Sequence, residues 1–473
     1  MFVILMGGRL YLDYRIEPLI LCSAVIAGFM AWYLRCQWQQ LEEAILNKIN
    51  VAMQGMLIIF SVGCMVGAWM FCGTVPFMVY WGLELVNPNY MLLSAFLICA
   101  LTSCCTGTSW GWAATIGVAM IGIAHGLGIP LAPVAGAALS GCYVGDKLSP
   151  LSDTTNLAPA VAGATTYEHI GHMFYTTIPG TILCCIVFFF ASSSVTGELH
   201  TPAQVQDFMN QLTEIYKLHF LLAVPPLLLI TGSILRWPIL PTIILTTILS
   251  VALGCLLQGF DLRGGILSTT TGFKVSMTHY LATPTESVQT LLNRGGMMGV
   301  LENMGMLCVA MAFGGIMHGS GMLTVVLQKM LKRVRSDGGL IASTLLSCVV
   351  LCFSTGSAYM GILIPGSLFK ESYLKRRLHP KNLSRALEDS ATMLDGAIPW
   401  ASGAVYMSGV LGVSAFEYVP WMVFNYSSVF IGLACAMLGI GIVKISAEEA
   451  KERLATSQMD TVLIEETPEP VQA

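Results

Sequence analysis

The chain has 473 residues, of which 55% are hydrophobic and 11% charged, with a net charge of −4 and a mean hydropathy of +0.72. A soluble domain carries about a quarter charged residues, so the composition excludes one, and no polar stretch is long enough to form a separate soluble domain. The fifteen cysteines lie mostly inside apolar runs, without metal-ligand spacing, and read as small packing residues.

Apolar segments near or above the ~20 residues that span a bilayer recur along the chain. Residues 1–16, beginning "MFVILMGGRLYLDYR", lack the basic start of a signal peptide and read as the stump of a helix. Spans follow near 17–35 and 55–81, with 38–50 between them as an amphipathic helix on the cytoplasmic surface. The stretch 91–124, broken at "TGTSWG", reads as a re-entrant hairpin. A broken span covers 130–166 and an unbroken one 173–194, closing a membrane repeat over 17–194. After an external loop at 195–217, a second repeat over 218–443 holds spans near 218–235, 238–257 and 301–327. A hairpin over 340–369, broken at "STGS", a broken span over 386–412 and a last span over 420–443 complete it. Residues 444–473 make a polar, acidic cytoplasmic tail of disordered composition.

The halves resemble one another. "GMLIIFSVGCMVG" at Gly55 reaches "TGTSWG" at Thr106 after 51 residues, and "GMLCVAMAFGGIM" at Gly305 reaches "TGSAYMG" at Thr355 after 50. Asp146 and Asp153 are seven apart, as are Glu388 and Asp395, and a proline follows each pair, Pro159 and Pro399. Paired segments interrupted by Gly and Pro point to the binding site of a secondary transporter.

Charge orients the halves. The loops "QKMLKRVRSDGG" (328–339) and "KESYLKRRLHPKNLSR" (370–385) carry four and six Lys/Arg, which places both in the cytoplasm. The single apolar stretch between them must then enter and leave on that side. Its counterpart at 91–124 has no basic flanks and enters from the opposite face. The expected fold is an all-α polytopic membrane protein of two inverted-topology repeats, each with a re-entrant hairpin and a discontinuous transmembrane helix. The expected location is the cytoplasmic (inner) membrane, multi-pass, with a cytoplasmic C-terminus.

Irregular backbone at membrane depth is tolerated only where protein or a wet cavity surrounds it. "GDKLSPLSDTTNLAP" (145–159) is such backbone. Pro150 removes a helix hydrogen bond between Asp146 and Asp153, and Ser149, Ser152, Thr154, Thr155 and Asn156 add neutral polar groups. Hard oxygen donors suit alkali or alkaline-earth cations. Intramembrane carboxylates are costly and mark function, and desolvation favours a carboxyl group's neutral form, which lets one site alternate between a proton and a cation. The competing structural readings are an Asp146–Lys147 ion pair, or an Asp that caps a half-helix.

The second half supplies Glu388, Asp389, Thr392 and Asp395. Asp395 is the deepest, while Glu388 and Asp389 stand close enough to the basic loop to be surface charges. The hairpin tips add hydroxyls at Thr106, Thr108, Ser109, Ser354, Thr355 and Ser357, although tight packing around glycine also explains small residues there. Na⁺ is expected at these same positions. No cofactor is expected beyond the transported Na⁺ and H⁺.

"GDKLSPLSDTTNLAPAVAG" resembles the signature of the NhaC family of sodium/proton antiporters, in the ion transporter superfamily, and "TGTSWG" fits it too. The resemblance runs over most of residues 17–443; one departure is an N-terminus shorter than in relatives. It implies inverted repeats with opposed hairpins and, often, a homodimer. It also leaves a substrate alternative, since relatives exchange malate or lactate with coupled Na⁺ and H⁺. No arginine lies in the expected spans to favour that alternative, although half-helix N-termini can bind a carboxylate.

Enzymatic readings fail on motif detail. "EHIGH" (168–172) places Glu before the first His, unlike a zinc protease, and an intramembrane aspartyl protease needs glycine where Val144 stands. A channel shares an oxygen-lined site, but paired inverted hairpins together with titratable groups favour alternating access. The expected function is exchange of Na⁺, or of Li⁺, for H⁺ by alternating access, with organic-acid exchange coupled to both ions as the alternative. Expected partners are membrane lipid, Na⁺ and H⁺, an organic acid on the alternative reading, and no nucleic acid.

Overall fold

Glycines in left-handed backbone, among them Gly73, Gly107, Gly163 and Gly356, stop several of the helices. The computed structural model describes residues 4, 8, 14, 16–195, 202–235, 237–280, 282–332 and 334–455, and the described residues form no β-strand beyond a single antiparallel bridge between Leu378 and Lys444. The N-terminal expectation, and the tail beyond 455, fall largely outside the described residues.

In chain order the helices are α1 (Ile16–Tyr33), α2 (Trp38–Cys72), α3 (Thr74–Leu85), α4 (Met91–Thr106), α5 (Ser109–Leu127), α6 (Leu131–Leu148), α7 (Asp153–Ala162) and α8 (Thr166–Val195). The second half holds α9 (Pro202–Ile215), α10 (Val224–Ile234), α11 (Ile239–Leu253), α12 (Leu262–Thr271), α13 (Glu286–Leu292), α14 (Leu301–Gly319) and α15 (Met322–Lys332). It closes with α16 (Asp337–Thr355), α17 (Ala358–Lys375), α18 (Pro380–Leu387), α19 (Ser402–Leu411) and α20 (Val423–Leu438). Among the described residues seven helices are long and apolar enough to cross a membrane, or up to nine if two bent pairs each count as one span.

The protein is a multi-pass membrane protein, and its polarity is distributed accordingly. Phe190 and Leu256 are 66% and 81% exposed, while Asp146, Lys147, Arg385, Glu388, Asp389 and Asp395 are all buried. Only a lipid surround makes that arrangement favourable.

Each half uses left-handed backbone at matching points. Gly107 and Gly356, Gly128 and Arg377, and Gly163 and Gly412 are each 249 residues apart, and Gly73 and Gly321 are 248 apart, all with positive φ. Gly107 and Gly356 turn the two hairpins, α4–α5 and α16–α17, with nearly the same angles (φ 71° and 61°, ψ 28° and 27°). This spacing pairs Asp146 with Asp395 and Pro150 with Pro399. The register expected from the sequence, which set Asp146 and Asp153 against Glu388 and Asp395, is therefore displaced by one seven-residue step.

Several boundaries differ from expectation. Residues 38–50 are not a separate surface helix but the start of the 35-residue α2, because nothing between 50 and 55 breaks the helix. That helix ends at left-handed Gly73, so the segment expected at 55–81 is divided between α2 and α3. The loop expected at 195–217 contains α9, and 447–455 of the tail is helical. The expected spans lacked arginine, yet Arg385, assigned to a loop, is buried.

Close packing of α4 on α6 depends on glycine. A Cβ at Gly141 would clash with the Phe96 carbonyl oxygen and lie 3.0 Å from the Ala100 amide nitrogen, both backbone atoms that cannot step aside. Gly141→Ala is expected to cost about 1–3 kcal/mol, seen as a lower melting temperature of the detergent-purified protein.

Candidate functional site

In the first half, α6 ends at Leu148 and α7 begins at Asp153, with Ser149 and Ser152 in extended conformation between them. The break is braced from within. Asn156 Nδ2 donates to the carbonyls of Pro150 (2.9 Å) and Ser152 (2.6 Å), and the Thr155 hydroxyl donates to the Asp146 carbonyl. Those two side chains hold the unwound backbone in place, which leaves the Asp146 carboxylate as the group presented by the break.

The hairpin tip meets that carboxylate. Gly107 turns the chain, Thr108 caps α5 by accepting from the Gly111 amide at 3.2 Å, and the Ser109 amide donates to Asp146 Oδ1 at 3.2 Å. The positive end of α5 thus faces a buried anion. Ser152 Oγ is 3.5 Å from the same oxygen and 3.1 Å from the Thr154 hydroxyl. Ser149 Oγ stands against Gly107. Thr106 accepts the Trp112 indole N–H.

The second half repeats the arrangement with different side chains. From α18 the helical path continues through a π turn, Glu388–Thr392, to Asp395, then breaks before α19. Asp395 Oδ1 accepts from Ser402 Oγ at 3.2 Å, and the amides of Gly403 and Ala358 face the same carboxylate. Ala358 opens α17 as Ser109 opens α5, again 249 residues apart. Of the remaining tip residues, Ser357 is buried, Thr355 donates to the Leu351 carbonyl at 2.8 Å, and Ser354 lies beside Gly314 of α14.

Asp146, Asp153 and Asp395 lie within electrostatic reach of one another. Asp153 heads α7 in an exposed position and accepts from the Tyr359 hydroxyl of α17, which joins the two halves. Glu388 is fully buried, not a surface charge, and among the described residues neither of its oxygens has a hydrogen-bond partner. The Thr154 and Thr392 hydroxyls are its nearest polar neighbours. A carboxyl group so placed is stable only when protonated or neutralised by a cation.

Asp389 is engaged by other side chains. Its Oδ1 is 2.6 Å from Lys147 Nζ and accepts from Thr176 at 2.7 Å, while Ser428 accepts from the same lysine at 3.1 Å. Lys147 is thus committed to Asp389 across the halves, and the Asp146–Lys147 pair weighed from sequence does not form. Arg385 Nε lies 4.0 Å from Asp389 Oδ2. The histidines of "EHIGH" reach the same region: His169 Nδ1 is 2.9 Å from Ser384 Oγ, and His172 Nδ1 is 3.0 Å from the Lys381 carbonyl.

Tyr143 escaped the sequence reading. Its hydroxyl, buried and unpartnered among the described residues, abuts Gly396 and lies within electrostatic reach of both Asp146 and Asp395. The available signal is its position three residues before Asp146, on the same helix face. Among the described residues no three His, Cys, Asp or Glu groups converge closely enough to hold one metal ion. A cation here would therefore draw on hydroxyl and carbonyl oxygens as well as carboxylate, a donor set suited to an alkali ion.

Residues 141–440, which contain both helix breaks and the second hairpin tip but not the first at Thr106–Ser109, match the Na⁺/H⁺ antiporter family. An uncharacterized Na⁺/H⁺ antiporter of Haemophilus influenzae is 39% identical over 446 residues, 94% of this chain and 95% of its own. The Na⁺/H⁺ antiporter NhaC of Alkalihalophilus pseudofirmus is 33% identical over 428 residues, 90% and 91% of the two chains. A malate-2H⁺/Na⁺-lactate antiporter of Bacillus subtilis is 33% identical over 431 residues, 91% and 90%. With the family match extending over more than half of the chain and these relatives over nine-tenths of it, the chain belongs to the Na⁺/H⁺ antiporter family.

Proposed function

We propose that this protein exchanges Na⁺ for H⁺ across the cytoplasmic membrane by alternating access, with Asp146 and Asp395 as the principal carriers. The observation that carries the reading is the equivalence of these two buried carboxylates. Each ends one arm of a broken helix and faces the first amide of its repeat's returning hairpin arm. A proton or a Na⁺ neutralises such a carboxylate, and the two compete for it. Ser109, Ser152, Thr154, Ser402 and Tyr143 supply neutral oxygens, Asp153 adds charge at the exposed side, and Glu388 is a further proton-holding group. The repeats are inverted, so the hairpins approach from opposite faces, and the C-terminus is cytoplasmic. A homodimer is the expected assembly.

The test is Na⁺-driven proton movement in proteoliposomes containing the purified chain and a trapped pH dye. Added Na⁺ is expected to drive protons the opposite way, with K⁺ giving a smaller response. No response to Na⁺ or Li⁺, with a response to malate or lactate plus Na⁺, would replace simple cation exchange with organic-acid exchange.

A further inference from the structure

A recess opens where α2 packs against α14 and α17. Lys48, on α2, is only 5% exposed, and no described carboxylate pairs with its ammonium group. It lines a cavity of about 310 Å³ together with Gln40, Asn47, Gly315, His318 and Met360. Glu43 stands with Gln40, Asn47 and His318 at the exposed rim, where water screens its charge. A buried cation without a counter-charge is expensive, and a cavity of this size falls within the range of small-molecule sites.

The recess reaches the second hairpin. Met360, two residues past Ala358, forms part of its wall. Cys352 of α16 is within electrostatic reach of both Lys48 and Asp395, and its sulfur lies 3.9 Å from the Ser357 carbonyl. An anion held at Lys48 would therefore sit against the tip that presents an amide to Asp395. The amides of Gln40 and Asn47 and the imidazole of His318 can bond a hydroxyl or a second carboxyl group, which a halide lacks.

We propose that the Lys48 recess binds the carboxylate of a small organic acid, placing an anion site beside the cation site. The use made of the site rests on the exchanger reading; the binding itself does not. The alternative, that Lys48 merely extends its ammonium towards water, predicts no ligand.

The experiment is calorimetric titration of the purified full-length chain with L-malate and L-lactate at fixed pH and Na⁺. Malamide, which lacks the charge, and inorganic phosphate serve as comparison probes. Lys48→Gln, Lys48→Arg and Met360→Trp are titrated alongside, each checked for an unchanged melting temperature. Saturable binding of at least one acid is expected, weakened about tenfold or more in Lys48→Gln with the loss of a charge-assisted contact. Binding should largely return in Lys48→Arg and disappear in Met360→Trp, where the lysine remains but the recess is filled. Absence of acid binding, equal binding by Lys48→Gln, or equally tight binding of phosphate or malamide would overturn the proposal. Na⁺-driven proton movement by the unsubstituted chain without any organic acid reports separately on the exchanger reading.

Discussion

Asp146→Asn is expected to reduce Na⁺-driven proton movement to the level of protein-free vesicles while leaving the chain folded in the membrane. Asparagine retains an oxygen that can accept from the Ser109 amide, so the 3.2 Å contact between hairpin and broken helix survives. It can neither carry a proton nor neutralise Na⁺. Asp395→Asn should do the same, because Ser402 and the Gly403 and Ala358 amides can still be satisfied by the amide oxygen. Asp153→Asn is expected to be milder. The exposed carboxylate contributes attraction rather than the buried seat, and its loss should raise the apparent KM for Na⁺ by about tenfold, the equivalent of about 1.4 kcal/mol. Competition for one carboxylate also fixes a sign: once protonation dominates, each unit fall in pH should raise the apparent KM for Na⁺ about tenfold. Full activity in both Asp146→Asn and Asp395→Asn would remove the paired carriers from the mechanism.

Much of this architecture can be read in the sequence because membrane burial leaves few ways to place polar backbone. The hairpin tips at "TGTSWG" and "STGS" announce themselves by glycine and hydroxyl clusters inside apolar runs, and the helices do turn at Gly107 and Gly356. The register between the halves was harder. Asp–x₆–Asp and Glu–x₆–Asp look alike in sequence, yet the backbone repeats at 249 residues, so Ser402 occupies the place of Asp153. Backbone conformation, not side-chain identity, is what the two halves share there. The fates of Lys147 and Lys48 were also hidden. Lys147 follows Asp146 directly, but successive helical residues do not face each other, and its partner lies 242 residues away. Lys48 reads as the charged face of a surface helix until α2 is seen to run unbroken to Cys72 and to carry that face into the protein.

The Lys147–Asp389 pair carries the largest expected effect on stability. Both side chains are essentially inaccessible, their charged atoms are 2.6 Å apart, and they join α6 of one half to the path leaving α18 in the other. Well-made buried pairs contribute little net stability over apolar replacements, but removing one partner strands the other and costs about 3–5 kcal/mol. The two single variants should not be equal. Lys147→Met leaves Asp389 with Thr176 and with Arg385 at 4.0 Å, so its charge retains a partner. Asp389→Asn leaves Lys147 and Arg385, two buried cations, facing one neutral amide. Asp389→Asn should therefore lie at the severe end of that range and Lys147→Met at the mild end, measured by melting of the detergent-purified proteins. The double variant should recover part of the loss in Asp389→Asn, because it removes one of the two stranded cations. Strictly additive losses would mean that the two residues act independently. The buried contact would then serve as two separate packing positions and not as the fastener between the halves.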